Sequence, residues 1–149
     1  MRAVCQRVTH ARVRVDGEII GEIGLGWCVL LGIGHDDDER TAVQLVDRIV
    51  GLRAFPDEDG RMARSAADVG AEFLVISQIT LHADLSRGRR PSFTQAARPE
   101  VAAALFERFV ALLRERGFTV ATGRFGAMMD VEIHNHGPVT IVLSTDAWG

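Results

Sequence analysis

Apolar and polar residues alternate from the start of the chain. Val4, Gln6 and Val8 alternate with their neighbours, as do Val13 and Val15, which predicts β-strand. Asp16-Gly17 is a hairpin-turn signal ahead of a second stretch, Glu18–Ile23. Residues 27–33 (WCVLLGI) are apolar without interruption, the pattern of a strand buried on both faces. The period then becomes helical, with Val43, Val46, Ile49 and Val50 on one side. Asp36, Asp37, Asp38 and Glu39 stand at the helix start, where acids suit the helix dipole. They lack the alternation and the glycine of a calcium loop.

Residues 56–60 read as a turn, and residues 73–81 (FLVISQITL) as a strand, apolar at first and then carrying Ser77, Gln78 and Thr80. Residues 82–98 predict a long loop. Pro99 opens a second helix through Leu105, Phe106, Phe109, Val110 and Leu113, which Gly117 ends. Val131 and Ile133 alternate with Asp130, Glu132 and His134 on a late strand, and residues 138–145 give another. The order β-β-β-α-β-β-α-β-β predicts one compact α/β (α+β) domain over residues 1–149, with two principal helices and a mainly antiparallel sheet that curls toward a barrel.

Composition narrows the function classes. All 17 basic residues are Arg, and there is no Lys or Tyr, which excludes Schiff-base, P-loop lysine and tyrosine-nucleophile chemistry. A net charge of −3 argues against a broad electrostatic coating of nucleic acid, and no DNA partner is expected. No apolar run approaches the roughly 20 residues of a membrane span, so no membrane partner is expected either. Cys5 and Cys28 have neither metal-knuckle nor disulfide-framework spacing, which makes a cytoplasmic location the expectation.

Gly137-Pro138 interrupts the late alternation. Pro138 has no N–H for a ladder and Gly137 has no side chain to pack, so the pair predicts a tight corner. X-Pro is also the bond type in which a cis peptide costs little. Such a corner presents bare carbonyls in set directions, which suits a site that judges the shape of a small substrate. The polar residues nearby leave three chemistries open. Ser77 and Thr80 could be nucleophiles with a histidine base, although no G-x-S-x-G elbow is present. His134 and His136, with His82 and Asp84, could hold a metal. Arg87, Arg89, Arg90 and Arg98 outweigh Asp84 across residues 84–98, and with Phe93 among them they suit phosphate contact and stacking at an RNA end.

Ser77-Gln78-Ile79-Thr80-Leu81 resembles the SQFTL motif of the D-aminoacyl-tRNA deacylases, and the run from Asn135 to Thr140 resembles their NxGPVT motif. The similarity extends through Gln6-Arg7-Val8-Thr9, Ala83-Asp84, Arg90-Pro91-Ser92-Phe93 and Thr122-Gly123-Arg124-Phe125-Gly126-Ala127. The resemblance implies a homodimeric cytoplasmic enzyme, with no cofactor, that hydrolyses the ester between a D-amino acid and the terminal adenosine of tRNA. It implies a cis Gly137–Pro138 peptide that acts as chiral selector in the partner's pocket. Ser77, Gln78, Ile79 and Thr80 would form the pocket floor, while Phe125 and Met129 would lie near the adenosine. Backbone N–H groups near Ile79 and Thr80 would stabilise the oxyanion, and the substrate's own 2′-hydroxyl would assist water attack. Glycine has no side chain for a selector to reject, so glycyl-tRNA is an expected side substrate.

Three positions depart from the family pattern. Ile79 stands in place of Phe, His136 in place of Asp, and Ala63-Arg64 in place of Asn-Leu. Three other functions stand beside the deacylase: an editing-like module acting on an L-aminoacyl-tRNA, a metal-dependent small-ester hydrolase using His82, His134 and His136, and a non-catalytic RNA-end binder.

Overall fold

The computed structural model describes residues 1–146; positions 147–149 of the expected domain lie outside the described residues. In chain order the strands are β1 (Arg2–Val15), β2 (Glu18–Ile23), β3 (Gly26–Gly32), β4 (Phe55–Pro56), β5 (Met62–Arg64), β6 (Glu72–Ser77), β7 (Val120–Thr122) and β8 (Asp130–Ser144). The helices are α1 (Glu39–Val50), α2 (Ala66–Val69) and α3 (Pro99–Glu115). No helix among the described residues is long and apolar enough to cross a membrane.

β1 organises the sheet. Its first half pairs antiparallel with β3 and its second half with β2, while β8 pairs antiparallel along its other edge. From β3 the sheet continues through the parallel strands β6 and β7. β4 and β5 form a separate small hairpin. Gly21 lets the two ends of the main sheet meet: a Cβ there would lie 2.6 Å from the Thr122 carbonyl oxygen of β7. The sheet thus curls into a nearly closed, mainly antiparallel barrel, in agreement with the element order.

Alternation sorts the side chains into two cores. Trp27, Val29, Leu31, Phe73 and Val75 pack with Leu45, Val46 and Ile49 of α1 and with Phe106, Phe109 and Leu113 of α3. Cys28, Leu74 and Ile76, from the opposite faces of the same two strands, fill the barrel interior with Val8, Ala11 and Val13. The uninterrupted apolar run in β3 is therefore buried on both faces. Truncating a core aromatic such as Phe109 to Ala costs about 3–5 kcal/mol. The acids before α1 serve its start. Asp38 and Thr41 form a reciprocal capping box, and Asp37 accepts from the Gly34 N–H at 2.6 Å.

Several sequence expectations are corrected. The buried face of α1 is Ala42, Leu45, Val46 and Ile49, with Val43 and Val50 at its margin. The strand expected over residues 73–81 stops at Ser77, and Ile79–His82 forms a 3-10 turn. The cause is β3, which ends at Gly32; the Gln78 N–H makes a last bond to the Leu31 carbonyl at 2.7 Å, after which no ladder partner remains. The long loop expected over residues 82–98 is present, beginning after the 3-10 turn, and is tied by bridges between Asp84 and Ser92 and between Gly34 and Ala96. The two late strands are one strand, β8, with an excursion at Gly137-Pro138. α2 and β7 carry too short a pattern to be read from the sequence.

Candidate active site

A cleft of about 290 Å³ opens where β6 gives way to the 3-10 turn. Ser77 and Ile79 line it from one side, Pro99 and Ala102 of α3 from another, and Phe125 and Met129 from the β7–β8 connection. Phe125 and Met129 reach the same space because residues 124–127 close a turn, in which the Ala127 N–H donates to the Arg124 carbonyl at 3.1 Å and Gly126 adopts a φ of +78°. Four residues singled out from the sequence thus converge here. Gln78 and Thr80 sit at the start of the turn, the Gln78 amide donating to the Thr80 hydroxyl. The leading N–H groups of a helical turn have no partner inside it, which leaves those of Ile79 and Thr80 as available donors. Among the described residues, no hydrogen bond joins the Ser77 or Thr80 hydroxyl to a histidine or carboxylate.

His82 is the last residue of this turn, with 3% of its surface exposed, and its Nε2 has no hydrogen-bond partner among the described residues. Burial pushes its pKa below the ordinary value, against a backbone hydrogen bond to Gly32 that acts the other way. The three histidines of the metal reading do not converge. His82 abuts Gly32, which pairs with Arg2, whereas His134 pairs with His10 and its ring meets His10 edge-on at 5.3 Å. Arg2 and His10 are roughly 26 Å apart along β1. His136 is exposed on the Gly137-Pro138 excursion between them.

The corner itself is built by its neighbours. In the β1–β8 ladder Gln6 faces Thr140 and Val8 faces Asn135, so the four residues from His136 to Val139 bulge out opposite Arg7 alone. The Gly137–Pro138 peptide is cis, and both residues are exposed. Asn135 staples the base of the bulge, accepting from the Val139 N–H at 3.2 Å and donating to the Thr140 hydroxyl at 3.0 Å. Arg7, buried to 7% exposure, donates from Nε to the His136 carbonyl at 3.1 Å and from Nη1 to the Ala54 carbonyl at 2.7 Å. Arg7, Asn135 and Thr140 carry no assigned role in the sequence reading. The available signal was phase: Ala3, Cys5 and Arg7 share the inward face of β1, and an inward arginine must find acceptors.

Corner and cleft do not meet within one chain. Ser77 pairs with Leu31 and Leu31 with Ala3, while the corner stands opposite Arg7. Three strand spacings, roughly 14 Å, and four residues along β1, roughly 13 Å, separate them. Arg87, Arg89 and Arg90 are exposed in the loop over residues 82–98. Beside them, hydrogen bonds from Ser86 hold the Asp84 carboxyl below its usual range.

Comparisons with known proteins show the family. Residues 4–144 match the family model described as D-Tyr-tRNA(Tyr) deacylase. A D-aminoacyl-tRNA deacylase of Symbiobacterium thermophilum is 51% identical over 146 residues, covering 98% of this chain and 97% of that protein. One from Thermus aquaticus is 53% identical over 145 residues, covering 97% of this chain and 95% of that protein. Among solved structures, a c-Myc DNA unwinding element binding protein superposes with a TM-score of 0.93 at 43% identity, covering 99% of this chain and all of that one. A probable eukaryotic D-amino acid tRNA deacylase shares the fold with a TM-score of 0.83 at 17% identity, over 95% of this chain and 97% of that one. With a family model matching residues 4–144 and relatives along almost its whole length, the chain belongs to the D-Tyr-tRNA(Tyr) deacylase family.

Proposed function

We propose that this chain hydrolyses the ester bond of D-aminoacyl-tRNA as a homodimer, the Gly137-Pro138 corner of one copy completing the cleft of the other. The observation that carries the dimer is the separation just described: a projecting, braced corner and a nucleoside-sized cleft stand on distant parts of one chain. The outer edge of β8 pairs with no described strand, which leaves it open to a second copy.

In this reading the terminal adenosine lies between Ile79, Phe125 and Met129, and the ester sits over the Ser77–Thr80 turn. Main-chain carbonyls of the partner's corner occupy the direction that an L side chain would need and reject it whatever its chemistry. A D-aminoacyl group turns its side chain elsewhere and is admitted, as is glycine. The Ile79 and Thr80 N–H groups stabilise the oxyanion as water adds to the carbonyl, and the terminal 2′-hydroxyl assists. The ester C–O bond then breaks, giving a free D-amino acid and a tRNA with its 3′ end intact. Neither protein nucleophile nor cofactor enters these steps, which accords with the Ser77 and Thr80 hydroxyls having no hydrogen bond to a histidine or carboxylate among the described residues. Arg87, Arg89 and Arg90 face phosphates of the tRNA, and the location is the cytoplasm.

Paired deacylation of the D- and L-forms of one aminoacyl-tRNA tests the reading. Fast loss of the D-ester with the L-ester intact supports it; equal rates remove the selector, and preference for the L-ester favours the editing-like module. Activity that a chelator abolishes would favour the metal-dependent hydrolase. A 2′-deoxy terminal ribose should slow the reaction steeply. Mixing a Gly137→Ala protein with a Phe125→Ala protein should restore activity, because one mixed pair then holds an intact corner and an intact cleft. No DNA partner is proposed, so duplex DNA should not shift in a gel at protein concentrations that shift tRNA.

A further inference from the structure

Phe125 is a wall shared by two clefts. On one side lies the space that holds Ile79 and Met129; on the other, a cavity of about 410 Å³ is lined by Phe106, Glu107, Arg114, Thr122 and Gly123. Both run along α3, the first against Pro99 and Ala102 and the second further along the same helix. Phe106 braces the wall, with its ring centroid 6.0 Å from that of Phe125.

Two charged side chains of the second cleft are unpaired. Nearby, Arg108 pairs with Glu39 and Glu115, and Arg116 with Asp47. Glu107 and Arg114 line one cavity yet form no ion pair with each other or with any other described residue. Arg114 is nevertheless held in place, its Nη2 donating to the Val120 carbonyl at 2.9 Å, which leaves its other nitrogens free for an anion.

We infer that this second cleft binds the nucleotide that precedes the terminal adenosine, a cytidylate at every tRNA 3′ end. The inference rests on the adenosine occupying the Ile79–Met129 side. Single-stranded ends are recognised with bases splayed onto aromatic side chains, and Phe125 lines both clefts, with Phe106 beside it in the second. A carboxylate accepts from the cytosine 4-amino group, the contact that Glu107 is placed to make. The guanidinium of Arg114 takes the phosphate oxygens of the same nucleotide. A uridine there would set its O4 acceptor against the Glu107 carboxylate.

Calorimetric titration with unacylated AMP, pCpA and pUpA tests the site. The dinucleotide pCpA should bind about tenfold or more tightly than AMP, the scale of one or two charge-assisted hydrogen bonds. Arg114→Gln and Glu107→Ala, both at exposed helix positions, should each bring pCpA back toward AMP, and pUpA should gain little. Equal affinity for AMP and pCpA, a gain that survives both substitutions, or equal affinity for pUpA and pCpA overturns the inference. D-aminoacyl esters of AMP and pCpA separate it from the reading beneath it. Selective pCpA binding without hydrolysis of either ester keeps the subsite and refutes the deacylase; hydrolysis of both esters without a binding gain refutes the subsite alone.

Discussion

Arg7 holds the carbonyl of His136, the residue immediately before the Gly-Pro corner, at 3.1 Å, and the same guanidinium holds the Ala54 carbonyl at 2.7 Å. One buried cation therefore ties the β8 excursion to the segment entering β4. Arg7→Met should leave both carbonyls without their donor and cost about 1–3 kcal/mol, read as a lower urea midpoint. Arg7→Lys keeps the charge but not the fork, so stability should recover in part while D-over-L selectivity stays reduced. Full selectivity in Arg7→Lys would show that the guanidinium does not set the corner.

Gly137→Ala should be the most damaging single change at the corner. Gly137 has a φ of +132°, and a Cβ there would meet the Val139 side chain at 2.7 Å and the Val139 backbone nitrogen at 2.9 Å. Backbone strain of this kind costs on the order of 1–3 kcal/mol, so the bulge must move. Thermal melting should show a modest loss of stability, and D-aminoacyl-tRNA turnover should fall far more than that loss explains. Unchanged turnover would remove the corner from the site.

Thr80→Ala should keep kcat/KM within about tenfold, whereas loss of an essential nucleophile costs on the order of ten-thousandfold or more. The Thr80 hydroxyl accepts from the Gln78 amide, and among the described residues no histidine or carboxylate is hydrogen-bonded to it. Mass spectrometry of the enzyme quenched during turnover should show no acyl adduct; an acyl-threonine would overturn the water mechanism.

His82 should make the fold acid-sensitive. Burial holds its pKa below the ordinary value of 6.5, so the folded protein favours the neutral ring while the unfolded chain takes up a proton as the pH falls through that value. Stability from this residue is complete above about pH 6.5 and is lost progressively below it. The Met1 ammonium and Arg2 oppose protonation and Asp37 favours it, but desolvation is the largest cause. Melting temperatures at pH 7.5 and pH 5.5 should differ more for the wild type than for His82→Leu. An equal difference would show that other groups govern the acid limb.

Part of the site was legible along the chain because its signals are local. Gly137-Pro138 announces a corner through missing donors and missing side chains, and Ser77-Gln78-Ile79-Thr80-Leu81 carries its pattern within five positions. The excursion was read as a break between two strands because alternation registers only the change of phase. The ladder shows that β1 continues straight past it, with Arg7 opposite four residues of β8. Likewise Phe73 to Leu81 read as one strand, but strand needs a neighbour, and β3 ends at Gly32.

The sequence by itself determined the principal strands and helices, the two-faced burial of β3, the candidate corner and floor, and the family. Each of these depends on residue type and short-range period. Only the tertiary structure decided that Arg7 braces the corner from 129 positions away. It alone decided that His82 is buried while His134 faces His10, and that corner and floor stand apart in one chain. The physical reason is that hydrogen bonds and desolvation depend on which strands become neighbours. That choice follows from the closure of the whole sheet, not from any one segment of the chain.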